Sequence, residues 1–218
     1  MSAASAKPGI PFVVAAPSGT GKTTVCGKLV ERDGQISFSV SHTTRTQREG
    51  EVDGGDYFFV EKKEFQRLIE EKAFLEWAVY NSNHYGTSWK AIEQPLRQGR
   101  DMLLEIEVQG AAQVRERRPD ACLIFLLPPS MQALEQRLRE RRTDSKEQIQ
   151  RRLETAEREL EAIAEFDYAV TNDDLDVCVT NLVEIIRAER NGAPGNLRDR
   201  FSPSRARERF ASERVEKA

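Results

Sequence analysis

The most chemically pointed spacing in the chain is Ala16-Pro17-Ser18-Gly19-Thr20-Gly21-Lys22-Thr23. Glycines let backbone N–H groups turn inward on a polyphosphate, and a following helix adds the positive end of its dipole. Lys22 suits β- and γ-phosphates, and Thr23 offers a hydroxyl to Mg²⁺. The pattern G-x-x-x-x-G-K-[S/T] is one glycine short, because its first position is Ala16. Alanine does not freely take positive φ, so the reading requires an ordinary backbone there. The competing reading is a glycine-rich turn that merely caps a helix. Context disfavours it: a β-rich apolar run over 11–15 precedes the loop, and 24–30, starting at Thr24, has apolar residues at helical spacing.

Arginines beside a phosphate loop suit phosphoryl transfer, since charge spreads over the oxygens of the moving group. Arg137, Arg141 and Arg152 lie at helical spacings across two linked helices. On spacing alone, a solvated face paired with Glu140, Glu147 and Glu154 is the favoured reading. Glu105 and Glu107 end an apolar run on one side of a strand, which is unfavourable unless they meet metal, water or ligand. Guanine presents N1–H and N2–H₂ donors that a carboxylate at Glu76 or Glu107 can accept. His42 and His84 are isolated, lack metal-ligand spacing, and are assigned no chemistry.

The elements that hold these residues follow from periodicity. A strand is expected over 36–40, preceded by Gly34 in a left-handed helix terminus. The stretch 41–51 has no apolar periodicity and reads as a ligand loop or a polar connection. Strand character at 57–60 precedes a helix whose apolar face carries Phe65, Leu68, Ile69 and Phe74. A strand over 75–80 leads to a polar loop, 81–87. Ser88 then caps a helix that Pro95 should bend or shorten. A strand buried on both faces, 102–104, runs into Glu105-Ile106-Glu107, followed by a helix over 109–118 and an interior strand over 121–127. Ser130 caps a helix through Leu134 and Leu138; 143–145 breaks it, and Ser145 caps another to about residue 165. A strand over 168–171, a turn and a helix over 175–190 complete the pattern. Strands alternating with helices imply an α/β fold: a P-loop-type parallel sheet with helices on both faces and ligands at the C-terminal strand ends.

With 218 residues and 39% hydrophobic content, the chain can bury one such core with small inserted lobes. The net charge of −3 hides two segments, 137–152 and 187–218, that are each net positive. The acidic remainder argues against a broad polyanion-binding face, and hence against nucleic acid. Three cysteines without Cys-x-x-Cys spacing suit reduced, buried thiols in a cytoplasmic protein. The longest apolar run, 121–127, is too short for a membrane span, and residues 1–9 lack an apolar signal core.

Taken together, the run 16–23, the loop 41–51, Tyr57-Phe58-Phe59-Val60, Phe74-Leu75-Glu76-Trp77, Tyr85-Gly86-Thr87-Ser88, Glu105-Ile106-Glu107-Val108-Gln109-Gly110, Ile124-Phe125-Leu126-Leu127-Pro128-Pro129-Ser130 and Asn172-Asp173-Asp174-Leu175 resemble guanylate kinases in order from about 11 to 190. The Ser-x-Thr-Thr-Arg loop is far more specific than the P-loop. The resemblance implies the reaction ATP + GMP to ADP + GDP with Mg²⁺, in purine nucleotide metabolism. It implies that Ser41, Arg45, Arg48, Tyr57 and Tyr85 hold the GMP phosphate. Glu76, Thr87 and Glu107 would read guanine, and Glu105 would lie near the Mg²⁺ water shell. Ala16 to Thr24 would hold ATP, with Mg²⁺ on Thr23 and Asn172 near the adenine. Lys22, Arg45, Arg137, Arg141 and Arg152 would be catalytic, the last three as lid arginines. The resemblance, not the periodicity, makes those arginines functional.

It also implies a guanylate kinase domain over 10–190. The core would be 10–40, 100–129 and 157–190, the GMP-binding lobe 41–99 and the lid 130–156. Residues 1–9 are expected to be flexible, and the tail 191–218, poor in apolar residues, disordered or peripheral. Two departures stand out. The strand end that often reads Asp-x-Asp here reads Glu105-Ile106-Glu107, placing each carboxylate one methylene further out, and Ala16 replaces the general P-loop glycine. The expected partners are small molecules, GMP or dGMP and ATP, with no nucleic acid or membrane; the oligomeric state has no sequence signal. Two rivals remain: a same-fold kinase of another phosphorylated acceptor, such as a ribose bisphosphate, and a non-catalytic guanylate-kinase-like interaction domain. Glu76, Tyr85 and Thr87 speak against the first, since a sugar phosphate has no base to read. The retained Gly19, Gly21, Lys22 and Thr23 speak against the second.

Overall fold

The apolar run Pro11–Ala15 forms strand β1 and is buried at every position, as a central strand requires. The computed structural model describes residues 7–80, 82–140 and 145–215. In chain order β1 is followed by α1 (Lys22–Arg32), β2 (Ile36–Phe38), β3 (Ser41–Thr43), β4 (Tyr57–Phe59), α2 (Lys62–Glu70), β5 (Phe74–Tyr80), β6 (Asn83–Ser88) and α3 (Trp89–Arg97). Then come β7 (Asp101–Glu105), α4 (Val108–Arg117), β8 (Cys122–Leu127), α5 (Met131–Glu140), α6 (Lys146–Glu161), a 3-10 turn (Ala162–Glu165), β9 (Tyr168–Thr171), α7 (Leu175–Arg190), α8 (Leu197–Arg200) and α9 (Pro203–Val215). The chain divides into two compact units. One joins the residues up to Phe12 with Gln35–Ala121, and the other joins Val13–Gly34 with the residues from Cys122 onward.

In the first unit β2 and β7 pair in parallel, with Ile36 opposite Asp101 and Phe38 opposite Leu103. A second sheet has the order β4-β3-β6-β5, parallel between β3 and β4 and antiparallel elsewhere. Its two faces differ in kind, because side chains alternate along a strand and cross-strand partners share a face. Ser41 lies opposite Tyr57, Thr43 opposite Tyr85, and Glu76 opposite Thr87, so these polar residues line one face. The other carries His42, Phe58, Trp77 and His84, covered by Phe65 of α2, which stacks on Phe74 at 4.5 Å and lies 5.2 Å from His84. The histidines are therefore aromatic packing groups, and burial lowers the pKa of His42.

A register shift between Phe74 and Glu76 sends these two side chains to opposite faces. That bulge corrects the expected placement of Phe74 on the helix: α2 ends at Glu70, Lys72 turns with φ 54°, and Phe74 opens β5. Two stretches read as polar loops also prove to contain strands, β3 within 41–51 and β6 within 81–87; Asn81 lies outside the described residues. Pro95 shortens its helix, falling in the last turn of α3. Gly9, at the end of the segment expected to be loose, is held in place. Its N–H bonds Leu96 O at 2.8 Å, and a Cβ there would meet Arg100 O at 2.1 Å.

In the second unit β8 and β9 pair in parallel, from Ile124 opposite Tyr168 to Leu127 opposite Thr171. Helices α5 and α6 close over a small core of Leu134, Leu138, Ile149 and Ala156. Ser145 and Gln148 form a full capping box at the start of α6. Residues 143 and 144 of the expected break lie outside the described residues. Gly34 is not left-handed; α1 instead ends at Asp33, which is buried and paired with Arg190 at 3.1 Å.

The tail differs most from expectation over its described part. Helices α8 and α9 bury Leu197, Phe201 and Ala206, and Phe201 O accepts the N–H of Ala169 in β9 at 2.8 Å. The segment cannot fold alone, but it covers apolar surface of its own unit. Cys26, Cys122 and Cys178 are buried free thiols, and burial pushes Cys178 up to about 12. Among the described residues no helix is long and apolar enough to cross a membrane.

Candidate functional site

The glycine-rich loop 16–23 belongs to the second unit. Gly19 and Gly21 have φ of 97° and 95°, a region that glycine alone enters freely, and Gly21 is the N-cap of α1. Ala16 has no positive φ, so the backbone it needs is the one it has. Close approach adds a second constraint on both glycines. A Cβ at Gly19 would lie 2.9 Å from Leu134 and Leu138 of α5, and one at Gly21 would lie 2.9 Å from Asn172 Nδ2. Pro17 O accepts Thr20 N–H at 3.1 Å and closes the turn. Lys22 is the first residue of α1, where helix N–H groups favour an anion, and Thr23 and Thr24 are exposed on the same turn.

Three side chains from distant elements converge on this loop. Asn172, buried after β9, donates from Nδ2 to Thr20 O at 2.7 Å. Arg137 of α5 donates to Thr20 O at 3.2 Å and to Asn172 O at 2.9 Å. Arg152 of α6 donates to Ser18 Oγ at 2.5 Å. Of the acidic residues that would pair with a solvated arginine face, Glu140 bonds Gln136, Glu147 bonds Ser145 and Glu154 bonds Gln150. The spacing argument for a bland solvated face therefore does not describe these two arginines. Arg141 lies outside the described residues. Beside the loop is a cleft of about 420 Å³ whose lining includes Thr24, Arg137, Glu140, Asn172, Asp173 and Leu175. Asp173 and Leu175, which have no role implied by sequence, are marked by their place in this cleft.

Among the described residues no group of three or more His, Cys, Asp or Glu is placed to hold a metal. The exposed Thr23 hydroxyl beside Lys22 is a hard oxygen donor. That fits an ion such as Mg²⁺, which takes few protein ligands and draws the rest from phosphates and water.

The first unit gathers the other set on the polar face of its four-stranded sheet. Glu76 and Thr87 are 3% and 0% exposed, and Thr87 N–H donates to Glu76 Oε1 at 2.9 Å. Thr87 Oγ1 lies 3.2 Å from Ser41 Oγ, linking three of the residues in one chain of contacts. Tyr57 and Tyr85 meet edge to face at 6.1 Å, and the Arg45 guanidinium sits 5.5 Å from the Tyr57 ring. Burial, reinforced by the Glu105 charge, raises the Tyr57 phenol above its ordinary value, so it is a neutral hydrogen-bonding group at neutral pH.

The hydroxyls of the loop after β3 turn out to build it. Thr43 Oγ1 donates to His84 O at 3.0 Å and accepts Arg45 N–H at 3.1 Å, and Thr44 Oγ1 accepts His84 N–H at 2.9 Å. Glu51, given no role from sequence, grips Arg45 with both oxygens and accepts Arg48 N–H at 2.8 Å. Its position three residues after Arg48 is the only signal that marked it.

Glu105 and Glu107 do not share one strand face. Strand β7 ends at Glu105, while Glu107 is the N-cap residue of α4 with an extended backbone. The strand, and with it the two-residue repetition of faces, stops two residues short of Glu107.

Against this geometry stand the comparisons with known proteins. The family model described as guanylate kinase matches residues 9–189. The guanylate kinase of Desulfitobacterium hafniense is 48% identical over 182 residues, covering 84% of this chain and 91% of that protein. That of Synechocystis is 50% identical over 178 residues, covering 82% and 93%. The crystal structure of guanylate kinase from Anaplasma phagocytophilum aligns with a TM-score of 0.70 at 34% identity, covering 85% of this chain and 88% of that one.

Proposed function

The chain belongs to the guanylate kinase family, and its reaction is transfer of the γ-phosphoryl group of ATP to GMP, giving ADP and GDP; we propose that its two units divide that work by residue. The second unit takes ATP. Backbone N–H groups of 16–21 and the start of α1 cradle the polyphosphate, Lys22 neutralises the β- and γ-phosphates, and the base lies in the cleft by Thr24, Asn172 and Asp173. Mg²⁺, when bound, would be held through Thr23 and the phosphates and would supply further charge neutralisation.

The first unit takes GMP. Arg45, Arg48, Ser41, Tyr57 and Tyr85 bind its phosphate, while Glu76 and Thr87, with Glu107, read the guanine edge. Glu105 is assigned by the family pattern, and its carboxylate would accept hydrogen bonds from Mg²⁺-bound water. One observation carries this assignment: the Glu76 carboxylate is buried on the polar face of the sheet and is joined through Thr87 to Ser41, so a charged acceptor and two hydroxyls stand together as a set that suits the donors of a guanine edge.

The chemistry then needs little beyond positioning and charge. An oxygen of the GMP phosphate forms a bond to the γ-phosphorus as the bond to the ADP oxygen breaks. That phosphate is already anionic, so no general base is required. Arg137 and Arg152 offer guanidinium donors to the oxygens of the moving group, Arg141 being assigned with them by the family pattern. Residues 41–99 act as the GMP lobe and 130–156 as the lid, whose closure excludes water that would otherwise hydrolyse ATP. Buried free thiols suit a cytoplasmic location.

The test is ADP release with MgATP against GMP, AMP, CMP, UMP and a ribose bisphosphate at matched concentration. Turnover with GMP alone is expected. Turnover with the ribose bisphosphate would remove the base-reading assignment, and no turnover with any acceptor would leave a binding domain.

A further inference from the structure

We propose that Gly110 is a positioning residue for guanine selection, keeping open the slot that the Glu76 carboxylate occupies. This rests on the reading of Glu76 as a base-reading group. Gly110 is the third residue of α4, is buried, and has no positive φ, so its backbone does not call for glycine. Within a helix, glycine is less favourable than alanine, so the helix itself does not call for it either. What distinguishes the position is room: a Cβ there would lie 2.5 Å from Glu76 Oε2 and 3.3 Å from Glu76 Cδ.

Helix α4 is not free to withdraw and make that room. One turn after Gly110, Gln113 donates to Trp77 O at 2.7 Å and accepts Trp77 N–H at 3.3 Å. One turn further, Arg117 donates to Leu75 O at 2.6 Å and Phe74 O at 3.3 Å. The helix thus takes the place of a neighbouring strand along the β5 edge, and the spacing 110, 113, 117 puts all three residues on one helical face. The carboxylate is held from the other side too, since Oε1 accepts Thr87 N–H at 2.9 Å. Ile106 Cδ1 stands at 3.4 Å, an ordinary contact, so an added methyl group displaces the neighbour it overlaps, the carboxylate itself, and leaves helix and strand in place.

Gly110→Ala should raise the KM for GMP about tenfold and narrow the preference for GMP over IMP, whose base lacks the 2-amino donor. The KM for ATP should stay within twofold, and the melting temperature should hold or rise. In a Glu76→Ala background the methyl has nothing to strike, so adding Gly110→Ala should change neither GMP kinetics nor folding. That double variant also covers a single variant that misfolds: recovery of folding in the double places the clash on Glu76, and continued misfolding overturns the proposal. Unchanged GMP kinetics in Gly110→Ala, or an equal effect with and without Glu76, overturns it as well. If Glu76→Ala alone keeps normal guanine selection, the base-reading assignment fails and this proposal falls with it.

Discussion

Glu51 holds the Arg45 guanidinium by both ends, with Nη1 to Oε2 at 3.0 Å and Nη2 to Oε1 at 2.7 Å. The same Oε2 accepts Arg48 N–H, and Gln47 Nε2 donates to Glu51 O at 2.6 Å, so one acidic residue shapes the turn that carries both arginines. Charge and order make opposite predictions for its removal. Charge alone says that losing an anion beside a phosphate site tightens GMP binding; order says that two long side chains lose their preset geometry. We expect order to win: Glu51→Ala raises the KM for GMP about tenfold with the KM for ATP unchanged. A lower KM for GMP in steady-state kinetics would show that the grip on Arg45 is dispensable.

The same pair has a pH signature. Arg45 beside Glu51 holds the Glu51 carboxyl below its ordinary value, which is about 4.3 for glutamate. A lowered folded value means that the pair's contribution is fully present above the ordinary value and is lost as pH falls through the lowered one. The protection factors of the amides of residues 45–51, which cancel the intrinsic pH dependence of exchange, should therefore hold from pH 7 to 5 and fall only below the ordinary glutamate range. Glu51→Gln, which cannot titrate, should abolish that acid transition.

Lys22→Ala tests the phosphate loop directly. Lys22 opens α1 with no part in the apolar core, so folding should survive its loss. The transition state should not: removing one preset charge from the transferring group lowers kcat by about 100-fold or more. Near-wild-type turnover with an unchanged melting curve would sink the P-loop assignment.

Asn172 tests whether that loop is braced from outside. Its amide bonds Thr20 O at 2.7 Å and lies 2.9 Å from where a Gly21 Cβ would fall. Asn172→Ala removes a buried hydrogen bond, which costs about 1–2 kcal/mol. It also removes one of the two side chains that hold Thr20 O, the other being Arg137. The KM for ATP should rise several-fold while the KM for GMP is spared. Equal rises in both would mean that Asn172 acts on the whole fold rather than on the loop.

The phosphate loop is legible in the sequence because its requirements are local: left-handed backbone at Gly19 and Gly21, then a helix that starts at Lys22. The polar sheet is not, because neither of its faces follows the apolar-polar alternation that announces a strand. In Ser41-His42-Thr43 and Asn83–Ser88 one face keeps the residues assigned to the ligand, and the other carries histidine and glycine against aromatic rings. Phe74 misleads for a related reason: nine residues on from Phe65 it would fall on the opposite side of a continued helix, and its face is set instead by a bulge, which leaves no periodic trace. Arg137 and Arg152 are ambiguous until Thr20 and Ser18 are placed beside them. A long-range contact of that kind has no signature in spacing.

The tail offers the sharpest contrast between composition and structure. Few residues of this 28-residue segment are large and apolar, yet Leu197, Phe201 and Ala206 are each buried, and Phe201 O satisfies the outer N–H of Ala169 in β9. Arg198 adds a bond to Glu189, which also accepts the Tyr168 hydroxyl. Phe201→Ala should cost about 3 kcal/mol by loss of burial and the cavity left behind. For a chain of this size that is a fall in melting temperature of roughly 6–12 °C. Ending the chain at Gly195 should lower it further, because the β9 edge then also loses its acceptor. Neither change touches a residue assigned to nucleotide, so KM values measured well below the transition should match those of the full chain. A truncated protein that melts with the full chain would make the segment a peripheral appendage, as its composition alone suggests.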